Sequence, residues 1–267
     1  MKIGFVQCDP VLGDVRTTIE KIDSLISGCE KADILVLPEL CNSGYNFNSY
    51  KQAMETSEET GDSVFIRYLE AKCAQCGMHI VSGFNERSGG NLYNTAVLVG
   101  PNGYIGSYSK LHLFMNEKDW FKPGNKGLPV FDIGSCKLGM LVCFDWMFTE
   151  VWRIMALKGA DIICHPSNLV LPGLAQRAVP IHAMTNRVYI VTANRIGTER
   201  DLSFTGASII ANPKGDVIAQ ASRTEEEIVI KDIDIDMAKD KMITGKNNLF
   251  RDRRPEEYAL LTEGNPE

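Results

Sequence analysis

No apolar run in this sequence approaches the ~20 residues that a helix needs to cross a bilayer. Basic charge is not in excess either: 28 Lys and Arg stand against 34 Asp and Glu, a net charge of −6. Nucleic acids and anionic membrane surfaces both call for basic stripes, so no nucleic acid and no membrane is expected as a partner. Residues 1–7 read straight into a strand with no cleavable signal region, which makes the cytoplasm the expected compartment. The eight cysteines are then expected to be free thiols, most of them small core residues. A Ser/Gly linker, a composition shift and a low-complexity tract are all missing, and one domain is the economical reading. With 44% apolar and 23% charged residues, a disordered or fibrous chain is excluded and an ordinary globular enzyme is not.

What the sequence does contain is an alternation of short apolar runs and helical patterns. Strands are expected at 2–8, 34–37, 79–84, 92–99, 104–108, 129–133, 137–142, 161–164, 189–193 and 228–233. Helices are expected at 14–31, 63–75, 148–158 and 175–187. Val15, Ile19, Ile22, Leu25 and Ile26 set the helical spacing of the first. Gly100-Pro101-Asn102-Gly103 marks one hairpin, and a second spans 207–219 around Asn212-Pro213-Lys214-Gly215. The chain also echoes itself. Ala32-Asp33-Ile34-Leu35 with Pro38 is matched by Ala160-Asp161-Ile162-Ile163 with Pro166, and a Pro-x-Gly hairpin follows each copy. Two similar halves about a pseudo-twofold axis, with buried strands under outer helices, give a layered α/β sandwich.

In such sheets chemistry gathers where strands end. Three apolar strands here run into a reactive side chain: 33–38 into Glu39, 104–109 into Lys110, and 138–142 into Cys143. Taken singly, each is more often a solvated acid, a surface cation or a core thiol. Together, a carboxylate, an ammonium and a thiol are what covalent acyl transfer requires. Two other arrangements compete. His112 or His165 could serve a Cys–His dyad, and Cys73-x-x-Cys76 with His79 could hold a metal, although helical spacing before an apolar strand favours core packing.

Pro38-Glu39-Leu40, Ser109-Lys110-Leu111-His112-Leu113, and Val142-Cys143-Phe144-Asp145 with Glu150 resemble the three signature blocks of the nitrilase superfamily of carbon–nitrogen hydrolases, in order and in broad spacing. Gly44-Tyr45, Phe121, Pro123-Gly124, His165-Pro166-Ser167 and Thr192-Ala193-Asn194-Arg195 are similar to its peripheral blocks, and the likeness covers about residues 2–258. The resemblance implies a four-layer αββα sandwich of two sheets, formed as a single domain over residues 1–245. It further implies a Cys143–Glu39–Lys110 triad, assembly as a homodimer or higher oligomer, and a tail at 246–267 that contacts a neighbouring subunit. Members of the superfamily use a second glutamate after the lysine block, and Glu117 stands at that position. No metal and no cofactor is required.

In the chemistry so implied, Glu39 takes the Cys143 proton, while Lys110 and the helix that follows Cys143 favour the thiolate. Lys110 and the backbone N–H of Phe144 hold the oxyanion, and Glu117 fixes water or substrate. A thioester forms and ammonia or an amine leaves. Many nitrilases of the superfamily carry Trp directly after the nucleophile. Phe144 stands there in this chain, which points to amides or N-carbamoyl amines ahead of nitriles. Tyr45, Phe121, Trp146, Asn168 and Leu169 are candidate pocket walls for a small linear amide. Arg177 reads as a surface cation or as a partner for a substrate carboxylate.

Overall fold

A computed structural model of the chain describes residues 1–28 and 31–263. Strands β1 (Lys2–Gln7), β2 (Ile34–Val36), β3 (His79–Ser88), β4 (Asn91–Gly100) and β5 (Gly103–Ser109) form one sheet. Strands β6 (Val130–Asp132), β7 (Lys137–Met140), β8 (Ile162–Ser167), β9 (Tyr189–Asn194), β10 (Ile209–Ala211) and β11 (Val217–Gln220) form the other. The last strand, β12 (Glu227–Asp232), returns to the first sheet beside β1. The orders are β12-β1-β2-β3-β4-β5 and β11-β10-β9-β8-β7-β6.

The two halves share one pairing pattern. From β12 to β5 the neighbours run antiparallel, parallel, parallel, antiparallel, antiparallel. From β6 to β11 they run the same way. The Ala-Asp echo has a physical cause in this pattern. Asp33 Oδ2 accepts the Lys2 N–H at 2.7 Å, the Asp33 N–H donates to Lys2 O, and Asp33 O accepts the His79 N–H. Asp161 makes the same three bonds with Lys137 and Tyr189, its carboxylate accepting at 2.9 Å. Each aspartate thus ties together the starts of three parallel strands. The correspondence extends to a match that the sequence reading passed over: Lys2-Ile3-Gly4 leading to Cys8 overlays Lys137-Leu138-Gly139 leading to Cys143.

Alternation along the strands builds the layers. Ile34, Val36, Val81, Ala96 and Leu98 join Leu138, Met140, Ile162 and Val191 in the core between the sheets. Leu35, Leu37, Ile80, Val97 and Val99 face the other way, into the cluster under helices α1 (Val15–Ser27) and α2 (Val64–Cys76). Helices α3 (Thr149–Leu157) and α4 (Leu174–Asn186) cover the second sheet with Val151, Trp152, Met155, Val179 and Ala183 buried. The result is the αββα sandwich. Asp14 and Ser63 cap α1 and α2 by accepting the N–H of Thr17 and Ile66. Of the helix expected at 14–31, residues 29 and 30 lie outside the described residues.

Two departures from expectation have physical reasons, and one expectation is met. Strand β3 continues to Ser88 and joins β4 through a Gly89-Gly90 turn, beyond the expected end at 84. The apolar run stops at Phe84, yet Asn85, Glu86, Asn94 and Thr95 are buried, and their donors find partners: Thr95 Oγ1 donates to Glu86 at 2.7 Å, Asn85 Nδ2 to Ala53 O at 2.8 Å and Asn94 Nδ2 to Glu39 at 2.7 Å. The short helices Tyr50–Glu55 and Glu117–Trp120 contain too few residues to show a period. The Cys73 thiol lies in the core and donates to Val99 O, with Cys76 packed at the edge of the same cluster, so this pair serves packing. The seven described cysteines are unpaired thiols. Among the described residues no helix is long and apolar enough to cross a membrane.

Candidate active site

Backbone turns at three strand ends bring the reactive side chains together. Past β2, the Leu37 N–H donates to Val81 O, the Gly83 N–H to Pro38 O and the Cys41 N–H to Gly83 O, which pins Glu39 to β3. The Lys110 N–H donates to Asn94 O at 2.8 Å at the end of β5. Past β7, the Leu141 N–H bonds Cys164 O, and the Val142 N–H bonds Asp145 Oδ2 at 2.9 Å. Cys143 then takes a left-handed φ of 41° and opens a 3₁₀ helix, Cys143–Met147. A non-glycine residue in that region is strained, and such strain clusters where a side chain must be presented at a tight turn.

Glu39 and Lys110 are fully buried and Glu117 nearly so. Lys110 Nζ donates to Glu39 Oε1 at 2.7 Å and to Glu117 Oε1 at 2.8 Å. Asn94 Nδ2 also donates to Glu39 Oε1 at 2.7 Å. Tyr45 OH donates to Glu117 Oε1 at 2.8 Å, and the Phe114 N–H to Glu117 Oε2 at 3.2 Å. Glu39 Oε2 is buried and has no hydrogen-bond partner among the described residues.

Electrostatics in this buried cluster are set by burial first. Burial works against the Lys110 charge, but Glu117 and Glu39 outweigh it and the ammonium is held charged. Burial raises the Glu117 carboxyl to about 7, with Lys110 opposing and Glu39 adding to the rise. The Cys143 thiol is pushed well above its usual range by burial and then by Glu39; Lys110 and the Asn168 N–H offset only part. Lys110 favours the thiolate, as expected, but burial and Glu39 outweigh it. The raised thiol holds its proton, chiefly because it is buried.

Cys143 lines a narrow pocket with Phe114, Phe144, Trp146, Asn168, Leu169 and Leu171. Asn168 Nδ2 donates to Glu39 O at 3.0 Å, and its Oδ1 is buried without a partner. Of the expected walls, Trp146, Asn168 and Leu169 are therefore here. Tyr45 and Phe121 are not. The Tyr45 hydroxyl is drawn to the Glu117 carboxylate. Phe121 packs with Phe47, ring centroids 6.2 Å apart, and lines a separate groove of about 450 Å³ on the other side of Phe144. Arg177 is an exposed residue of α4.

Neither histidine has the environment of a dyad partner. Nε2 of His165 faces Cys143 O at 2.9 Å and its Nδ1 faces Thr192 Oγ1 at 3.0 Å, while burial pushes its pKa down to about 4. His112 bonds Asp145 through Nδ1 at 2.7 Å and stacks on Phe148. Sequence reasoning assigns no role to Asn94, and it shows Asp145 only as part of the block that holds Cys143. Asn94 interrupts an apolar strand, which was its signal. Asp145 collects the Val142 N–H, the Tyr108 hydroxyl at 2.8 Å and His112, and so ties the lysine segment to the cysteine turn. Nothing in the spacing announces that hub.

Comparison with known proteins gives a consistent picture. The family described as carbon-nitrogen hydrolase matches residues 2–241. A protein of Pyrococcus abyssi described as a nitrilase is 45% identical over 97% of this chain and 99% of its own length. A Danio rerio omega-amidase is 32% identical over 93% and 91%. The crystal structure of an amidase from Nesterenkonia sp. superposes with a TM-score of 0.79 at 24% identity, covering 98% of this chain and 96% of that one.

Proposed function

The chain belongs to the carbon-nitrogen hydrolase family of the nitrilase superfamily, and on that premise we propose that it hydrolyses the C–N bond of a small linear amide through a thioester on Cys143. One observation carries the assignment of roles. Glu39 is completely buried and committed through Oε1 alone, which leaves Oε2 as a free acceptor beside a neutral thiol. A neutral thiol cannot attack unaided, so its proton passes to Glu39 as sulfur bonds to the carbonyl carbon. Negative charge develops on the carbonyl oxygen, where the Lys110 ammonium and the Phe144 N–H receive it. The tetrahedral intermediate collapses, Glu39 returns the proton to the departing nitrogen, and ammonia leaves a thioester. Water then enters, gives its proton to Glu39, and releases the carboxylic acid and the thiol. Glu117, in its ionised form, orients Lys110 and the incoming water.

Two features support an amide. Asn168 Oδ1 is an unused acceptor beside Cys143, suited to a primary amide N–H. The remaining wall is apolar and narrow, suited to a short unbranched acyl chain. The description of the Pyrococcus abyssi relative favours nitriles as a second reading, and the same triad serves both. An ammonia-release screen over aliphatic amides, dicarboxylate mono-amides, N-carbamoyl amines and nitriles, with Cys143→Ala as blank, decides between them. Turnover of short amides supports the proposal; turnover of nitriles alone overturns it. The chain is further proposed to act in the cytoplasm as a homodimer, its tail at 246–267 reaching the neighbouring subunit. Free thiols suit the compartment, and exposed Leu260 and Leu261 suit the contact.

A further inference from the structure

The proposed steps leave two stretches of this sequence unused, Gly44-Tyr45 and the Arg195 that follows β9. We infer that Glu199, locked in place by Arg195, is a positioning residue for Glu117: it fixes the segment from which the Tyr45 hydroxyl reaches that carboxylate. Arg195 is fully buried and Glu199 is 6% exposed. Glu199 Oε2 accepts the N–H of Tyr45 at 3.0 Å and of Asn46 at 2.6 Å, and Asn46 Nδ2 donates to Glu199 O at 2.8 Å. Arg195 Nη1 donates to Glu199 Oε1, and Nη2 donates to Asp9 Oδ1 and to Pro10 O. The guanidinium carbon lies 4.1 Å from the centre of the Phe204 ring, and Tyr45 meets the same ring edge-on, centroids 5.9 Å apart.

The backbone is shaped for this ion network. A Cβ at Gly44 (φ 78°) would fall 2.8 Å from Glu199 Oε1, and one at Gly197 (φ 86°) would collide with the Asp9 carboxylate. Only glycine leaves room for either acid. A buried ion pair gives little net stability compared with an apolar pair of the same volume, because both charges lose their hydration. What Glu199 supplies is geometry: it gathers two adjacent backbone N–H groups and so sets where Tyr45 points. The chain of contacts then runs Arg195, Glu199, Tyr45, Glu117, Lys110, with no step longer than a hydrogen bond.

The inference rests on the proposed role of ionised Glu117. A hydroxyl donating to a carboxylate favours the charged form, so misplacing Tyr45 raises the pH at which Glu117 ionises. The charged and titratable groups facing these two acids are Lys110, Glu39, Tyr45 and Cys143 around Glu117, with Arg195, Asp9 and Asp201 around Glu199 and Asn46. The test is kcat/KM against pH, on an amide from the screen, for Tyr45→Phe, Glu199→Gln, their double variant, and Phe204→Leu, which keeps every charge should Glu199→Gln fold poorly. Each single variant is expected to move the acid limb upward, by about one pH unit for Tyr45→Phe and Glu199→Gln, which is roughly a fivefold loss at pH 7. The double variant is expected to match Tyr45→Phe alone. An unmoved acid limb in Glu199→Gln and Phe204→Leu, with only the melting temperature lowered, overturns the inference, as does an additive double variant. Glu117→Gln separates the levels: if it is fully active, the proposed mechanism fails along with the relay, whereas an impaired Glu117→Gln beside an unshifted Glu199→Gln sinks the relay alone.

Discussion

Glu39, Lys110 and Cys143 were legible because each follows an apolar strand and carries a chemistry that solvent-facing loops rarely need in combination. Glu117 was legible only through resemblance, since a carboxylate in a short loop has no pattern of its own. Its protonation gives the sharpest residue-scale prediction. Burial raises its carboxyl to about 7, so the ionised form that the proposed mechanism uses is gained across about pH 6 to 8. Stability runs the other way. A carboxyl that holds its proton more tightly folded than unfolded stabilises the fold below the unfolded value of about 4.3, and that contribution is lost as pH rises through 7. Wild type should therefore gain kcat/KM and lose melting temperature over the same interval. Glu117→Gln should show neither trend; a melting temperature that rises with pH in wild type would reverse the assigned sign.

Element-scale legibility depended on what each strand buries. Strands β2 and β8 were read from apolar runs, because both faces of a central parallel strand are covered. The far half of β3 was not, because its buried side chains, Asn85 and Glu86, are polar and find their partners outside the strand itself. The Ala-Asp echo was visible as letters, but its cause is the paired role of Asp33 and Asp161 as acceptors for the first N–H of β1 and β7. Equal roles predict equal costs. Asp33→Ala and Asp161→Ala should each lower unfolding free energy by about 1 kcal/mol, in keeping with one hydrogen bond to a charged acceptor at a partly solvated strand end. Urea denaturation of the two variants checks this, and costs that differ severalfold would mean that the two halves are alike in pattern only.

At the scale of the whole molecule, the pseudo-twofold sandwich followed from the sequence, but its closure did not. The first sheet takes its outer strand from residues 227–232 at the far end of the chain, while the second takes the equivalent strand from the residues just before β7. No local signal states which end of a chain completes a sheet. The helical layer over the second sheet leaves Ile154, Leu157, Ile181 and Met184 exposed, and the tail leaves Leu260 and Leu261 exposed at 77% and 66%. Apolar side chains gathered in this way mark surfaces that associate. Light scattering should give a dimer or larger mass for the full chain and a smaller one after truncation following Thr244. An unchanged mass would remove the tail from the assembly.

The most direct test of the account is to look for the thioester. Trypsin releases residues 138–153, in which Cys143 is the one cysteine. Acid-quenched enzyme turning over a short aliphatic amide should carry an acyl group on that peptide, and neither Cys143→Ala nor Glu39→Gln should carry it, with turnover in Glu39→Gln down by about 10²–10⁴-fold. Steady turnover in Cys143→Ala, or an acyl group found on any other cysteine, would contradict it.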